Sequence, residues 1–323
     1  MPKPFKRYGT QLTALQCRDR TRLSQLVISL VVCSVLYECF AHIVAKPKLT
    51  QYKYYCAEAP IRPRQPWNDR KKVIAFSLFT PDKEDSKLFS WFMKGLLENV
   101  EAAKLYYPEW IVRVYTYGIA SDVENELLSL ATVEVVRCHE SFMTNTSSSR
   151  KMMSRFLTYD YPDVEYTIVR DADSRLNPRE LFAVNEWMSS GLKFHSMRDH
   201  DEHYVSVLGG MFGIKRGAMQ VSMASLFHDA FLAYPDGISG APGEDQAFLT
   251  NYVWPLVKHS TIAHDMNEER CHHFGARHCL KFPVHSPSNS DFFVGAAIKP
   301  ENIQDTAVVP SLYNCSVVCT LGD

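Results

Sequence analysis

Between residues 72 and 190 the sequence switches repeatedly between strand-like and helix-like patterning, and this alternation restricts the fold more than any other feature. "KVIAFSLF" (72–79) is an apolar run of strand length, whereas "KLFSWFMKGLLENVEAAKLYY" (87–107) has the length and spacing of a long helix. "WIVRVYTY" (110–117) reads as a strand, "SDVENELLSL" (121–130) as a helix opened by a Ser121/Glu124 capping box, and "VEVVRC" (133–138) as a third strand. A helix is expected near 149–159, followed by the strand "YTIVRDAD" (166–173). "NPRELFAVNEWMSSG" (177–191) then has Asn177 as N-cap, Pro178 at the first helical position and Glu180 two residues on. Strands alternating with helices predict an α/β domain, a mostly parallel sheet with helices on both faces.

What precedes this domain has another character. A basic arm with Lys3, Lys6, Arg7, Arg18, Arg20 and Arg22 leads into "LVISLVVCSVLYECFAHIVA" (26–45). Twenty residues at about 1.5 Å rise cross a ~30 Å hydrocarbon core. Glu38 and His42 lie in the half of the run nearer its C-terminal end, within reach of an interface. Positive charge on the N-terminal side predicts a cytosolic N-terminus. The expected organisation is therefore a cytoplasmic tail (1–25), a single transmembrane signal anchor (26–45), a Pro-rich stem (46–70), a catalytic domain (71–300) and a C-terminal tail (301–323). That is a type II protein whose domain lies in the lumen of the Golgi or endoplasmic reticulum. A net charge of −1 gives no global field for nucleic acid, and none is expected as a partner.

The cysteines suit an oxidising lumen. Six of the nine lie beyond the anchor: Cys56, Cys138, Cys271, Cys279, Cys315 and Cys319. Short separations make Cys271/Cys279 and Cys315/Cys319 plausible local loops, leaving Cys56 to tie the stem to Cys138. Zinc is the competing reading of "CHHFGARHC". Asn145 and Asn314 open glycosylation triplets.

Chemistry concentrates where "YTIVRDADSRL" (166–176) stops on two carboxylates. In open α/β sheets ligands bind at the carboxyl ends of strands, and residues i and i+2 of an extended segment point the same way. Asp171 and Asp173 can thus face one ligand. Two like charges need a compensating cation, for which Arg170, Arg175 or a divalent ion are candidates. Mg²⁺ or Mn²⁺ held by one or two carboxylates plus substrate phosphates would suit a nucleotide diphosphate.

The ordered blocks "RDADSR", "AVNEW", "MRDH", "GGMFG" and "DQAFL", with "GLLENVEAAKLYYPEWIVRVY" before them, strongly resemble GT-A-type glycosyltransferases over roughly 72–298. The resemblance implies a GT-A fold, a nucleotide-sugar donor (UDP- or GDP-linked) and a Mn²⁺ or Mg²⁺ cofactor. It implies Asp171 and Asp173 as metal ligands, completed by a late histidine, His264 or as second choice His285. Arg155, Arg170, Arg198, Asp199, His200 and the strand residues Gly209 and Gly210 are then donor or substrate contacts. Asp245 or Glu244 is the catalytic base. The function expected is transfer of a sugar to a glycan, protein or lipid acceptor. A lumenal metal-dependent hydrolase and an inactive glycan- or nucleotide-binding relative are the alternatives.

Overall fold

The computed structural model describes residues 56, 61, 71–80, 86–139, 148–234, 238, 243–284 and 293–298. The segment 26–45, Asn145, His285, Asn314, Cys315 and Cys319 lie outside these residues. Among the described residues no helix is long and apolar enough to cross a membrane.

The domain is built on one eight-stranded sheet in the order β3-β2-β1-β4-β6-β5-β7-β8. Strands β1 (Lys71–Phe79), β2 (Trp110–Tyr117), β3 (Val133–Arg137), β4 (Val164–Val169), β5 (Phe194–Arg198), β7 (Thr261–Asp265) and β8 (His278–Leu280) all run the same way. Only β6 (Phe212–Lys215) is reversed, antiparallel to both β4 and β5.

Side chains alternate along each strand, so the sheet feeds two cores. Ile74, Phe76 and Leu78 of β1 join Val112, Val114, Val133 and Val135 on one face. That face is covered by α1 (Ser86–Tyr106), α2 (Ser121–Ser129) and α4 (Pro178–Ser190), with Leu96, Leu127 and Trp187 fully buried there. Val73, Ala75, Tyr115 and Phe212 face the other way. They meet α3 (Ser148–Met153) with the 3-10 turn that continues it to Asp160, then α5 (Met223–Ala233), α6 (Glu244–Phe248) and α7 (Trp254–Val257). The short α8 (Glu268–His273) follows β7. The expected sheet with helices on both faces is thus present, with one strand reversed.

Local signals agree in part. Asn177 accepts the Glu180 N–H at 3.0 Å, and Pro178 opens α4. The Ser121/Glu124 box is not made. The helix cap is Ala120, without a side-chain bond, and Glu124 instead pairs with Arg137. The helix expected near 149–159 breaks into α3 and the tighter turn after it.

Two disulfides close, Cys56–Cys138 and Cys271–Cys279. With their sulfurs bonded to each other, Cys271 and Cys279 are not thiolate ligands for zinc.

Candidate functional site

The carboxylate pair sits just past the end of β4 in a loop that α1 grips. Gly95 and Asn99 share a face of α1, being four residues apart. Asn99, fully buried, donates to the Ser174 carbonyl at 2.8 Å and accepts the Leu176 N–H at 2.9 Å. A Cβ on Gly95 would come within 2.2 Å of the Ala172 carbonyl, so the helix lies directly on the loop. Arg175 completes the grip by pairing with Glu98. Sequence reasoning missed this clamp; its signal was an Asn one turn after a Gly inside an apolar helix.

Because β6 runs backwards, its start reaches the rim where β4 ends, and Phe212 lies opposite Val169. Gly209 and Gly210, expected within a strand, form the turn just before it. A Cβ on Gly210 would sit 1.9 Å from an Asp171 oxygen, and one on Gly209 would sit 2.0 Å from an Asp245 oxygen. Two carboxylates from distant elements therefore press on adjacent glycines. Arg155 binds the group together. Its Nη1 is 2.6 Å from Asp171 and donates to the Arg170 carbonyl at 2.8 Å, while Nη2 donates to the Gly209 carbonyl at 3.2 Å.

The electrostatics follow from this crowding. Burial, and after it the Asp171 charge, push Asp173 up to about 6, against the pull of Arg155 and Arg175. Asp245 is raised by burial, then lowered by Arg155 and raised again by Asp171. Asp171 stays partly open to solvent, its side chain 40% exposed. Arg155 sits on Asp171, and Arg175, which acts on Asp173, is shared with Glu98, so carboxylates still outnumber guanidiniums in the cluster.

Other candidate residues go elsewhere. Glu244 is buried against Arg150 at 2.8 Å and also accepts the Ile238 N–H, so of the two candidate bases Asp245 faces the glycine turn. Arg170 turns into the core to pair with Glu180 at 2.8 Å. Arg198 is fully buried against Asp265, to which Arg270 also binds. Asp199 takes both arms of Arg179, at 2.8 and 2.7 Å, and the Val294 N–H. These three hold the frame and do not line the site. His200 packs its ring against Phe293 at 4.4 Å. His264 is fully buried on β7, with one ring nitrogen 2.8 Å from His195 and the other 3.1 Å from Glu186. With both nitrogens engaged, it does not complete the Asp171/Asp173 pair. Among the described residues no three His, Cys, Asp or Glu side chains form a metal cage.

No family model and no curated protein matches the chain. Among solved structures it is similar to a protein from Desulfovibrio desulfuricans G20 provisionally described as a nucleotide-diphospho-sugar transferase. That similarity has 7% identity and a TM-score of 0.37, and covers 61% of this chain and 80% of the other. At that level it adds no argument about function.

Proposed function

We propose that the protein is a glycosyltransferase, taking a sugar from a nucleotide-diphosphate donor to a glycan, protein or lipid acceptor. One observation carries the reading. Asp171, Asp173, Arg155 and Asp245 converge on a Gly-Gly turn at the carboxyl rim of the sheet, where α/β folds bind nucleotides.

The donor set suits a hard divalent cation. Two neighbouring carboxylates, one raised by burial and by the charge of the other, supply the oxygens that Mg²⁺ or Mn²⁺ takes beside substrate phosphates. Asp171 and Asp173 would hold the ion, which supplies charge neutralisation for the departing nucleoside diphosphate. Arg155, 2.6 Å away, keeps Asp171 oriented. Gly209 and Gly210, lacking side chains, leave room for the Asp245 and Asp171 carboxylates to close against the turn. Asp245, raised by burial, is suited to take the proton of the acceptor hydroxyl, which would make transfer inverting.

Anchoring through 26–45 and a Golgi or endoplasmic reticulum lumen belong to the same proposal. The two disulfides support the compartment, since such bonds persist where conditions are oxidising.

The test is calorimetric titration of the full chain with UDP and GDP, each with and without Mn²⁺. One nucleotide should bind only with the ion, and Asp173→Asn should lose that binding while melting normally. Equal binding by the variant would remove the carboxylate pair from the mechanism.

A further inference from the structure

A second concavity opens on the same rim of the sheet, beyond the carboxylate cluster. It has a volume of about 430 Å³ and is lined by Tyr204, Asn267, Glu269, Arg270, His273 and Phe274. Its walls come from the loop after β5 and from the turn and helix after β7. Arg270 welds the two together. The guanidinium reaches Asp265 at 2.7 Å on one side and the carbonyls of His200 and Asp201, at 3.0 and 3.1 Å, on the other. With its donors so occupied, Arg270 is a fixed floor, and its Cζ lies 5.6 Å from the Tyr204 ring centroid. Tyr204 itself is 72% exposed. A large aromatic that stands exposed over an immobile base offers a flat face on which a ring can stack.

Two polar side chains stand at the edge of the platform. Glu269 and His273 are exposed, and among the described residues Glu269 has no hydrogen-bond or ion-pair partner. Around it the carboxylates of Asp201, Glu202, Asp265, Glu268 and Glu269 outnumber the guanidiniums of Arg198 and Arg270, so the local field disfavours an anion. A flat aromatic face, acceptor and donor groups at its edge and a field that repels anions match an uncharged, polyhydroxylated ring better than an acidic one. The volume lies within the range of small-molecule sites, about 300–1,000 Å³.

Position decides which sugar. In the sheet order β7 is three strands from β4, or about 14 Å at the ~4.8 Å spacing of neighbouring strands. The segment 293–298 bridges the same gap. Phe293 packs on His200 and His203, beside Tyr204, while the Ile298 N–H reaches the Asp173 carbonyl at 2.9 Å. Five chain steps span at most about 18 Å. A ring in the pocket is thus too far to be the one transferred and near enough to belong to the molecule that receives it.

We infer that the Tyr204–Glu269–Phe274 pocket is an acceptor subsite for a neutral sugar ring, one or more units removed from the hydroxyl that is glycosylated. This rests on the transferase reading and names its acceptor class as an oligosaccharide.

The test uses the full chain on an array of immobilised neutral and acidic oligosaccharides, beside Tyr204→Ala and Glu269→Gln. Both changes are at exposed positions. The wild type should bind a neutral oligosaccharide. Tyr204→Ala should weaken that binding at least tenfold and leave Mn²⁺-dependent nucleotide titration unchanged. Absence of any neutral glycan binding, selection of acidic glycans alone, or binding that survives Tyr204→Ala overturns the subsite. Tyr204-dependent glycan binding in a protein that takes no nucleotide would keep the subsite and overturn the transferase reading instead.

Discussion

The adjacent glycines at the site permit a sharp experiment, because each is pressed by a different carboxylate. In Gly210→Ala the new Cβ would lie 1.9 Å from one Asp171 oxygen, 2.4 Å from Cγ and 2.9 Å from the other oxygen. The nearest contact is about 1.5 Å short of the 3.4 Å at which ordinary contact begins. The whole carboxylate has to swing away, and it then loses Arg155, now at 2.6 Å. Misplacing a positioned group by about 1 Å typically costs ~10²-fold, or about 2.7 kcal/mol. Gly209→Ala meets Asp245 instead, at 2.0 Å, and leaves Asp171 alone. Neither glycine is among the described glycines with positive φ, so alanine suits the backbone at both and folding should survive. Calorimetry with Mn²⁺ and the preferred nucleotide is the assay, with thermal melting as the folding control. Gly210→Ala should weaken binding about 10²-fold, and Gly209→Ala by no more than a few-fold while it slows transfer. Wild-type affinity in Gly210→Ala, or equal losses in both, would refute the assignment of Asp171 to the donor and Asp245 to the acceptor.

Two further outcomes follow from groups away from the site. Asp160 caps the start of α5, accepting the Met223 and Ala224 N–H groups at 2.7 and 2.8 Å, yet burial raises it to about 7. The folded chain then keeps a proton that the unfolded chain has released, so this contribution is present below about pH 4 and is lost as pH rises to about 7. The loss is on the order of 4 kcal/mol at most. Urea unfolding at pH 5 and 7.5 should show that slope, and Asp160→Asn should flatten it; an unchanged slope assigns it elsewhere. Asp265→Asn leaves Arg198 and Arg270 without their shared carboxylate and should destabilise by about 3–5 kcal/mol in the same assay. A loss under 1 kcal/mol would mean water reaches that pair.

Strands were the most legible part of the sequence. β2 falls on the expected 110–117, and β1 begins one residue before the expected 72–79. Their β-branched and aromatic runs are buried on both faces and admit no other period. The reversal of β6 was hidden, since four residues carry no direction of their own. The place of Asp171 and Asp173, just past the end of β4, was readable because the apolar run stops abruptly at them. The "MRDH" block was not: an arginine and an aspartate that meet a ligand look the same as a pair that meets Asp265 and Arg179. Only the register of β5 beside β7, which sets Arg198 opposite Asp265, separates the two. His264 failed for a similar reason, since a histidine on a central strand finds its partners through the sheet.

The grip of α1 on the carboxylate loop has a practical side. Asn99 bonds to main-chain atoms of Ser174 and Leu176, and Gly95 abuts a main-chain oxygen. None of these contacts depends on which side chains stand at 171 and 173. The loop is thus a fitted socket in which the side chains at 171 and 173 can be exchanged, for instance for softer donors, while the mounting stays where it is. Redesign could begin from two side chains and leave the scaffold untouched.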